Sequence, residues 1–198
     1  KKQSRNPKVT VIIPVYNQQD LVLKAIDSVP HRPDIEIIVI DDCSTDDTLH
    51  RLKTRQDIRL FYNTMNMGVG YTVNQGINRA KGEYIVQLDS DDYFTDNFLT
   101  VMDMLDGTDM VYFDMISPNR KWKINESTKR GYCGAVKFIR REFIGDTRCP
   151  EIKCGEDWYW YRALLDKNPT EFFTGIVAKH YNYPRVGSLT WELLHEQQ

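Results

Sequence analysis

Apolar residues fall along this chain in two rhythms. Unbroken, largely β-branched runs occur at Lys8–Val15 (KVTVIIPV), Ile35–Ile40 (IEIIVI) and Tyr84–Leu88 (YIVQL), as in strands buried on both faces. Between them the spacing suits helices: Leu21, Leu23, Ala25, Ile26 and Val29, then Leu49 and Leu52, then Tyr71, Val73 and Ile77. Pro14 is expected to stop the first strand, Asp20 to cap the first helix, and Pro30 to Pro33 to break it. Ser44 or Thr45 is placed to cap the second helix, with Asp46 and Asp47 in its first turn against the helix dipole. Ile58–Tyr62 reads as a third, short strand. This alternation predicts an α/β fold with a mainly parallel central sheet flanked by helices. In such sheets ligands gather at the carboxyl ends of the strands.

Beyond residue 96 the pattern loosens. Asn97–Leu105 reads as a helix, Asp109–Met115 as a strand and Ser117–Tyr132 as a loop or weak hairpin. A helix at Trp158–Leu165 opens with Gly155-Glu156-Asp157, and a strand at Phe172–Ala178 leads to His180 and the loop Tyr183–Ser188. Arg120, Lys121, Lys123, Lys129 and Arg130, continued by Lys137, Arg140 and Arg141, are opposed by Glu126 and Glu142. These charges form either a solvated hairpin and helix face or an anion-binding surface.

The strand at Tyr84–Leu88 runs straight into Asp89-Ser90-Asp91-Asp92. Delivering three carboxylates to the end of a buried strand is costly unless a cation offsets their repulsion and lost hydration. Mg²⁺ or Mn²⁺ is the expected offset, since such hard cations take one or two carboxylates and complete their shell with phosphate and water. The turn is not an EF-hand, because Phe94 stands where the sixth-position glycine is required. A dinucleotide fingerprint fails at Val73, which occupies the third glycine position after Gly68 and Gly70. A nucleotidyltransferase would show a glycine-rich loop after the first strand, and PVYNQQD has none.

With 198 residues, 41% of them hydrophobic, the chain has enough apolar material for one core, read as a single domain over 1–198. A net charge of −2 makes no demand for nucleic acid or an anionic membrane. Cys43, Cys133, Cys149 and Cys154 lack C-x-x-C spacing and read as free thiols of a reducing compartment. The chain begins at Lys1, no signal peptide is visible and no apolar run reaches membrane-span length. A cytoplasmic protein is expected, and peripheral contact with a membrane is compatible with it.

The segments VIIPVYN (Val11–Asn17), VIDDCSTDDT (Val39–Thr48), N-x-G (Asn66–Gly68), GEYIVQLDSDD (Gly82–Asp92) and GEDW (Gly155–Trp158) together resemble the family 2 nucleotide-sugar glycosyltransferases of GT-A fold. The resemblance implies a Rossmann-like domain with a nucleotide-sugar-binding half (1–116) and an acceptor-side half (117–198). It implies an inverting, hexosyltransferase-type reaction from a nucleotide-diphosphate sugar, expected to be a UDP-sugar, to a saccharide, lipid-linked or protein acceptor. Pro14 and Tyr16 would line the base pocket, and Asp42 would accept from the base. Asp89-Ser90-Asp91 would be the D-x-D, with Asp91 on the metal, Asp89 on the sugar or the metal's shell, and His180 as a further metal or phosphate contact. Arg185 and Ser188 would meet the diphosphate, and Asp157 would be the catalytic base. The alternative roles are that Asp41 or Asp42 caps the following helix and that Glu156-Asp157 complements a helix dipole. Relatives carry A-R-N where this chain has Thr72-Val73-Asn74, so an arginine that would contact the donor is missing. The rival class is a silent module of the same fold that holds a nucleotide sugar or metal without transfer.

Overall fold

The computed structural model describes residues 6–131, 135–152 and 155–182. Elements follow in the order β1 (Val9–Val15), α1 (Val22–Asp27), β2 (Ile35–Asp41), α2 (Thr48–Lys53), β3 (Arg59–Tyr62), α3 (Val69–Arg79) and β4 (Tyr84–Gln87). Then come β5 (Tyr93–Phe94), α4 (Phe98–Met102), β6 (Met110–Ser117), β7 (Arg120–Trp122), β8 (Lys137–Arg140), α5 (Arg141–Ile144), α6 (Glu156–Leu165) and β9 (Glu171–His180). They build one mixed sheet in the order β3-β2-β1-β4-β8-β6-β9-β5, with β7 paired to β6.

The parallel half, β3-β2-β1-β4, comes from the β-branched runs. All seven residues of β1 are buried, so the run has no polar face to offer. Gly82 permits the approach to β4, since a Cβ there would lie 2.4 Å from the Thr10 amide nitrogen. Pro14 does not stop β1, which continues to Val15 opposite Asp41. Pairing with β4 ends at Ile12 and Gln87, and even-numbered residues of β1 turn their backbone toward β4, as in the bond from the Leu88 amide to the Ile12 carbonyl. Pro14 therefore owes no hydrogen bond on that side.

Beyond β4 the direction reverses. β8 runs antiparallel to both β4 and β6, while β9 returns parallel to β6. Register shifts between Tyr112 and Met115 of β6, and Gly175 with φ +66°, bend this ladder as bulges do. Where a loop or weak hairpin is expected over Ser117–Tyr132, a short hairpin pairs β6 with β7 from Met115 to Trp122. The basic stretch, in contrast, is divided: Arg120, Lys121, Lys123, Arg130 and Arg141 are exposed, as a solvated hairpin and helix face would be, whereas two of its lysines are not. Lys137 and Arg140 belong to strand β8, Lys137 is buried, and Lys129 is buried between Glu126 and Glu171. Among the described residues no helix is long and apolar enough to cross a membrane.

Candidate active site

The loops after β1 and β2 are laced together by polar side chains. Asn17, at φ +50°, accepts the Thr45 amide at 2.8 Å, and Ser44 Oγ accepts the Asn17 amide at 2.9 Å. Thr48 Oγ1 accepts the Gln18 amide at 3.0 Å. Ser44 and Thr45 thus serve the neighbouring loop rather than cap α2, which starts at Thr48 after Asp47 without a side-chain cap. Asp20 likewise makes no cap, since α1 begins after Leu21. Tyr16 projects from this laced loop with 44% of its surface exposed, a ring available for stacking beside buried Pro14.

Asp41 and Asp42 are both buried, but they work differently. Asp41 Oδ2 accepts the Ser44 amide at 3.0 Å, while its Oδ1 is buried without a partner. Asp42 Oδ1 accepts Asn63 Nδ2 at 2.8 Å and the Met67 amide at 2.9 Å; its Oδ2 accepts the Gly68 amide at 2.8 Å. A carboxylate has about four lone-pair sites, so Asp42 shapes the N-x-G loop and retains one acceptor site. The loop leads into α3, where Asn74 clamps the Cys149 backbone by donating to its carbonyl and accepting from its amide, both at 2.9 Å. A Cβ on Gly70 would lie 2.5 Å from the Pro150 carbonyl oxygen. Together these contacts dock the approach to α6 against α3.

At the end of β4 the acidic turn contains a cation that local sequence patterning does not reveal. Lys179 of β9, 2% exposed, places its Nζ 3.0 Å from Asp89 Oδ2 and 2.7 Å from Asp92 Oδ2. Burial works against the charge of Asp89, yet the ammonium outweighs it and holds this carboxyl below the usual range. Asp92 is pushed up to about 6, chiefly by burial, with Asp89 adding to the shift against the pull of Lys179. Asp92 also accepts the Asn182 amide at 2.9 Å, so its role is to fasten the turn to the chain after β9. Part of the cost that pointed to a metal is therefore met internally.

Asp91 is half-buried on the same turn, and Asp89 retains acceptor sites beyond those given to Lys179 and Gln87. This donor set suits a cation that takes one or two carboxylates and leaves the rest of its shell to phosphate and water. His180 does not join the set. Alternation along β9 turns it away from the Lys179 side, and its ring stacks on Tyr93 at 4.5 Å and 9°. Burial, then Lys24, lower its pKa. Among the described residues no cluster of three or more His, Cys, Asp or Glu side chains forms. Arg185 and Ser188 lie outside the described residues.

Asp157 sits in the first turn of α6, where its Oδ1 accepts the Trp158 amide at 2.8 Å. It lines a cleft between α3, α6 and the sheet with Val73, Gln87, Lys137 and Trp160. Gln87 joins this cleft to the acidic turn, donating from Nε2 to Asp89 Oδ1 at 3.0 Å. Glu156 feels the turn as well: burial first, then Asp157 and Asp89, raise its pKa. Cys149 is pushed up to about 12, mainly by burial, so its thiol is no nucleophile at neutral pH. Trp158 and Tyr159 are 38% and 56% exposed at the outer face of α6, with the Arg162 guanidinium 4.8 Å from the Trp158 ring centroid.

The family model described as glycosyl transferase family 2 matches residues 10–164. The chain belongs to that family. Among curated relatives, the poly(ribitol-phosphate) beta-glucosyltransferase of Bacillus spizizenii is 41% identical over 95 residues, 43% of this chain and 15% of that enzyme. The structure of S. aureus TarS 1-349 in complex with UDP-GlcNAc superposes with a TM-score of 0.76 at 23% identity, covering 91% of this chain and 60% of that one. Mannosyltransferase PcManGT from Pyrobaculum calidifontis, in complex with GDP-Man and Mn²⁺, superposes with a TM-score of 0.69 at 20% identity over 96% and 61% of the two chains. These likenesses show the GT-A fold. The family 2 chain described here spans about three-fifths of the two solved chains and a small part of the relative.

Proposed function

We propose that this family 2 chain transfers a sugar from a nucleoside-diphosphate donor, UDP-linked, to an acceptor hydroxyl with inversion at the anomeric carbon. The observation that carries this reading is Gln87, which lines the Asp157 cleft and donates to Asp89, joining a phosphate-holding turn to a carboxylate at the mouth of α6. Tyr16, Pro14 and the remaining acceptor site of Asp42 receive the base. Asp91, with Asp89, would hold Mn²⁺ or Mg²⁺, which when bound neutralises charge gathering on the leaving diphosphate. Asp157 takes the proton from the acceptor hydroxyl as that oxygen attacks, and its charge opposes the oxocarbenium-like carbon. Support for UDP and for a divalent cation comes from the ligands named for the two solved neighbours. Support for a polymeric acceptor comes from the name of the 41% identical relative, a poly(ribitol-phosphate) glucosyltransferase.

Asp157→Asn preserves shape but removes the base. Turnover is expected to fall by ~10²–10⁴-fold while UDP affinity, read by calorimetry, is kept. Asp91→Ala is expected to lose the Mn²⁺-dependent part of that affinity, as is wild type in EDTA. An α-linked donor must yield a β-linked product. A retained α configuration, or a fully active Asp157→Asn protein, overturns the mechanism.

A further inference from the structure

The helix that carries Asp157 needs something to set its rotation. Asn74 docks the chain before α6 through Cys149, but Gly155, the N-cap of α6, has no side chain to cap with. Trp160, Tyr161 and Leu164 form its buried face. Leu164 is apolar and the Trp160 indole nitrogen is buried without a hydrogen-bond partner. Apolar contact is non-directional, so it holds a helix on a sheet without fixing how the helix is turned. Tyr161 is different. Its hydroxyl lies 2.9 Å from that of Tyr112 in β6, and Tyr112 donates to Glu171 Oε1 of β9 at 2.6 Å. Glu171 is itself paired with Lys129, which also pairs with Glu126. Tyr112 has one proton and a carboxylate only accepts, so Tyr161 donates to Tyr112 and the chain runs one way, from α6 to an ion-paired carboxylate. The two tyrosines are 0% and 1% exposed, and bonds so buried are costly to leave unmade. Burial first, then Glu171 and Tyr161, raise the Tyr112 pKa, which keeps its proton in the chain. Asp157 precedes Tyr161 by four residues, one turn along the same stripe of the helix. Lys137, which lines the cleft with Asp157, lies 4.2 Å from the Tyr161 ring centroid, so the chain ends against the wall of that cleft.

We propose that the Tyr161–Tyr112–Glu171 hydrogen-bond chain sets the rotation of α6, which makes Tyr161 and Tyr112 positioning residues for Asp157. This rests on the reading of Asp157 as the base and adds to it the device that aims it.

The test is a double-mutant cycle on the whole chain, with release of nucleoside diphosphate to water followed from UDP-glucose, UDP-GlcNAc and GDP-Man in Mn²⁺, for wild type, Tyr161→Phe, Asp157→Asn and the two combined. Phe keeps the ring and removes only the hydroxyl. Tyr112→Phe takes its place should Tyr161→Phe not fold, and melting curves confirm that each variant is native. A base misplaced by about 1 Å can cost on the order of 10²-fold, so Tyr161→Phe is expected to lower kcat by ~10-fold or more with KM for the donor unchanged. Added to Asp157→Asn it is expected to cost nothing further, because no base remains to be misaimed. Equal losses in the two backgrounds, or undiminished kcat in a folded variant, overturn the inference and leave the donor reading intact. Hydrogen exchange reads the same device without turnover: α6 amides of Tyr161→Phe should exchange ~5-fold faster than in wild type while those of β1 keep their protection. Unchanged α6 protection in a folded variant overturns the inference whether or not water serves as acceptor. A wild-type chain that binds none of the three donors by calorimetry overturns the donor reading instead.

Discussion

The two halves of the sheet divide the site's charges between them. The parallel half, β3-β2-β1-β4, supplies the carboxylates Asp41, Asp42, Asp89, Asp91 and Asp92 at or just beyond its strand ends. The later strands supply cations, Lys137 from β8 and Lys179 from β9. Neither set is comfortable alone: carboxylates crowded at a buried strand end repel one another, and buried lysines favour neutrality. Closing the second half of the sheet onto the first brings Lys179 to Asp89 across 90 residues of sequence. The acidic turn is therefore stabilised by tertiary pairing before any ligand arrives, and this dependence can be broken from either side.

The largest effect should come from Lys179→Met. Removing one partner of a buried ionic group typically costs about 3–5 kcal/mol, and here it strands the buried Asp92, while the part-exposed Asp89 loses a partner that water replaces in part. Chemical denaturation should show a loss of that size. Combination with Asp92→Asn should recover part of it, giving a positive coupling in a double-mutant cycle. Mn²⁺ should also raise the melting temperature of Lys179→Met more than that of wild type, because an added cation then replaces the missing ammonium. Equal stability of wild type and Lys179→Met would mean that the turn does not need its internal cation.

The same contrast explains what the sequence makes legible. Runs such as KVTVIIPV and IEIIVI announce buried parallel strands through local composition, and the acids that follow them announce the site. Several local readings go astray where tertiary context overrides them. Pro14 continues β1 because its neighbour strand has already ended. Ser44 and Thr45 bind a loop that is distant in sequence rather than the adjacent helix. Lys137 and Lys179 lie further out of reach. Each is a charged residue inside a strand, and only cross-strand register decides whether its head meets water, a ring or a carboxylate. Asn74 is similar: Cys149, its partner, is 75 residues away. The nearest sequence signal was the retained asparagine of the T-V-N triplet. The basic stretch divides for the same reason: Arg120, Lys121, Lys123, Arg130 and Arg141 stay exposed while Lys129 and Lys137 are buried, since charge density is local whereas burial is not.

Asn74→Ala tests whether the first half positions Asp157, the base proposed in the second half. The substitution leaves the Cys149 amide and carbonyl without their clamp, a loss of about 1–3 kcal/mol. As Asn74 acts from α3 on Cys149, in the segment before α6, and is not in the cleft lining, kcat is expected to fall more than KM for the donor rises. A purely structural role would lower the melting temperature and leave kcat of the folded fraction unchanged, and kinetics normalised to folded protein separates the two.

The smallest effect concerns an ion pair that joins elements of the second half away from the acidic turn. Asp109 Oδ1 accepts Arg140 Nη2 at 2.6 Å, and its Oδ2 accepts the amide and hydroxyl of Thr170, both at 2.9 Å. Burial acts to raise this carboxyl, but the Thr170 amide and the Arg140 guanidinium outweigh it and hold the pKa below the ordinary value. A depressed carboxylate contributes stability that is fully present above its unfolded pKa of about 3.9 and is lost as pH falls through the lower folded value. Melting temperature should therefore drop on acidification below about pH 4, with part of that drop due to Asp109. Asp109→Asn should cost about 1 kcal/mol at neutral pH and flatten the acid limb, while donor affinity at pH 7 stays at the wild-type level. A change in donor affinity would show that this end of the sheet communicates with the site, and that the partition of charge between the halves extends beyond the cleft.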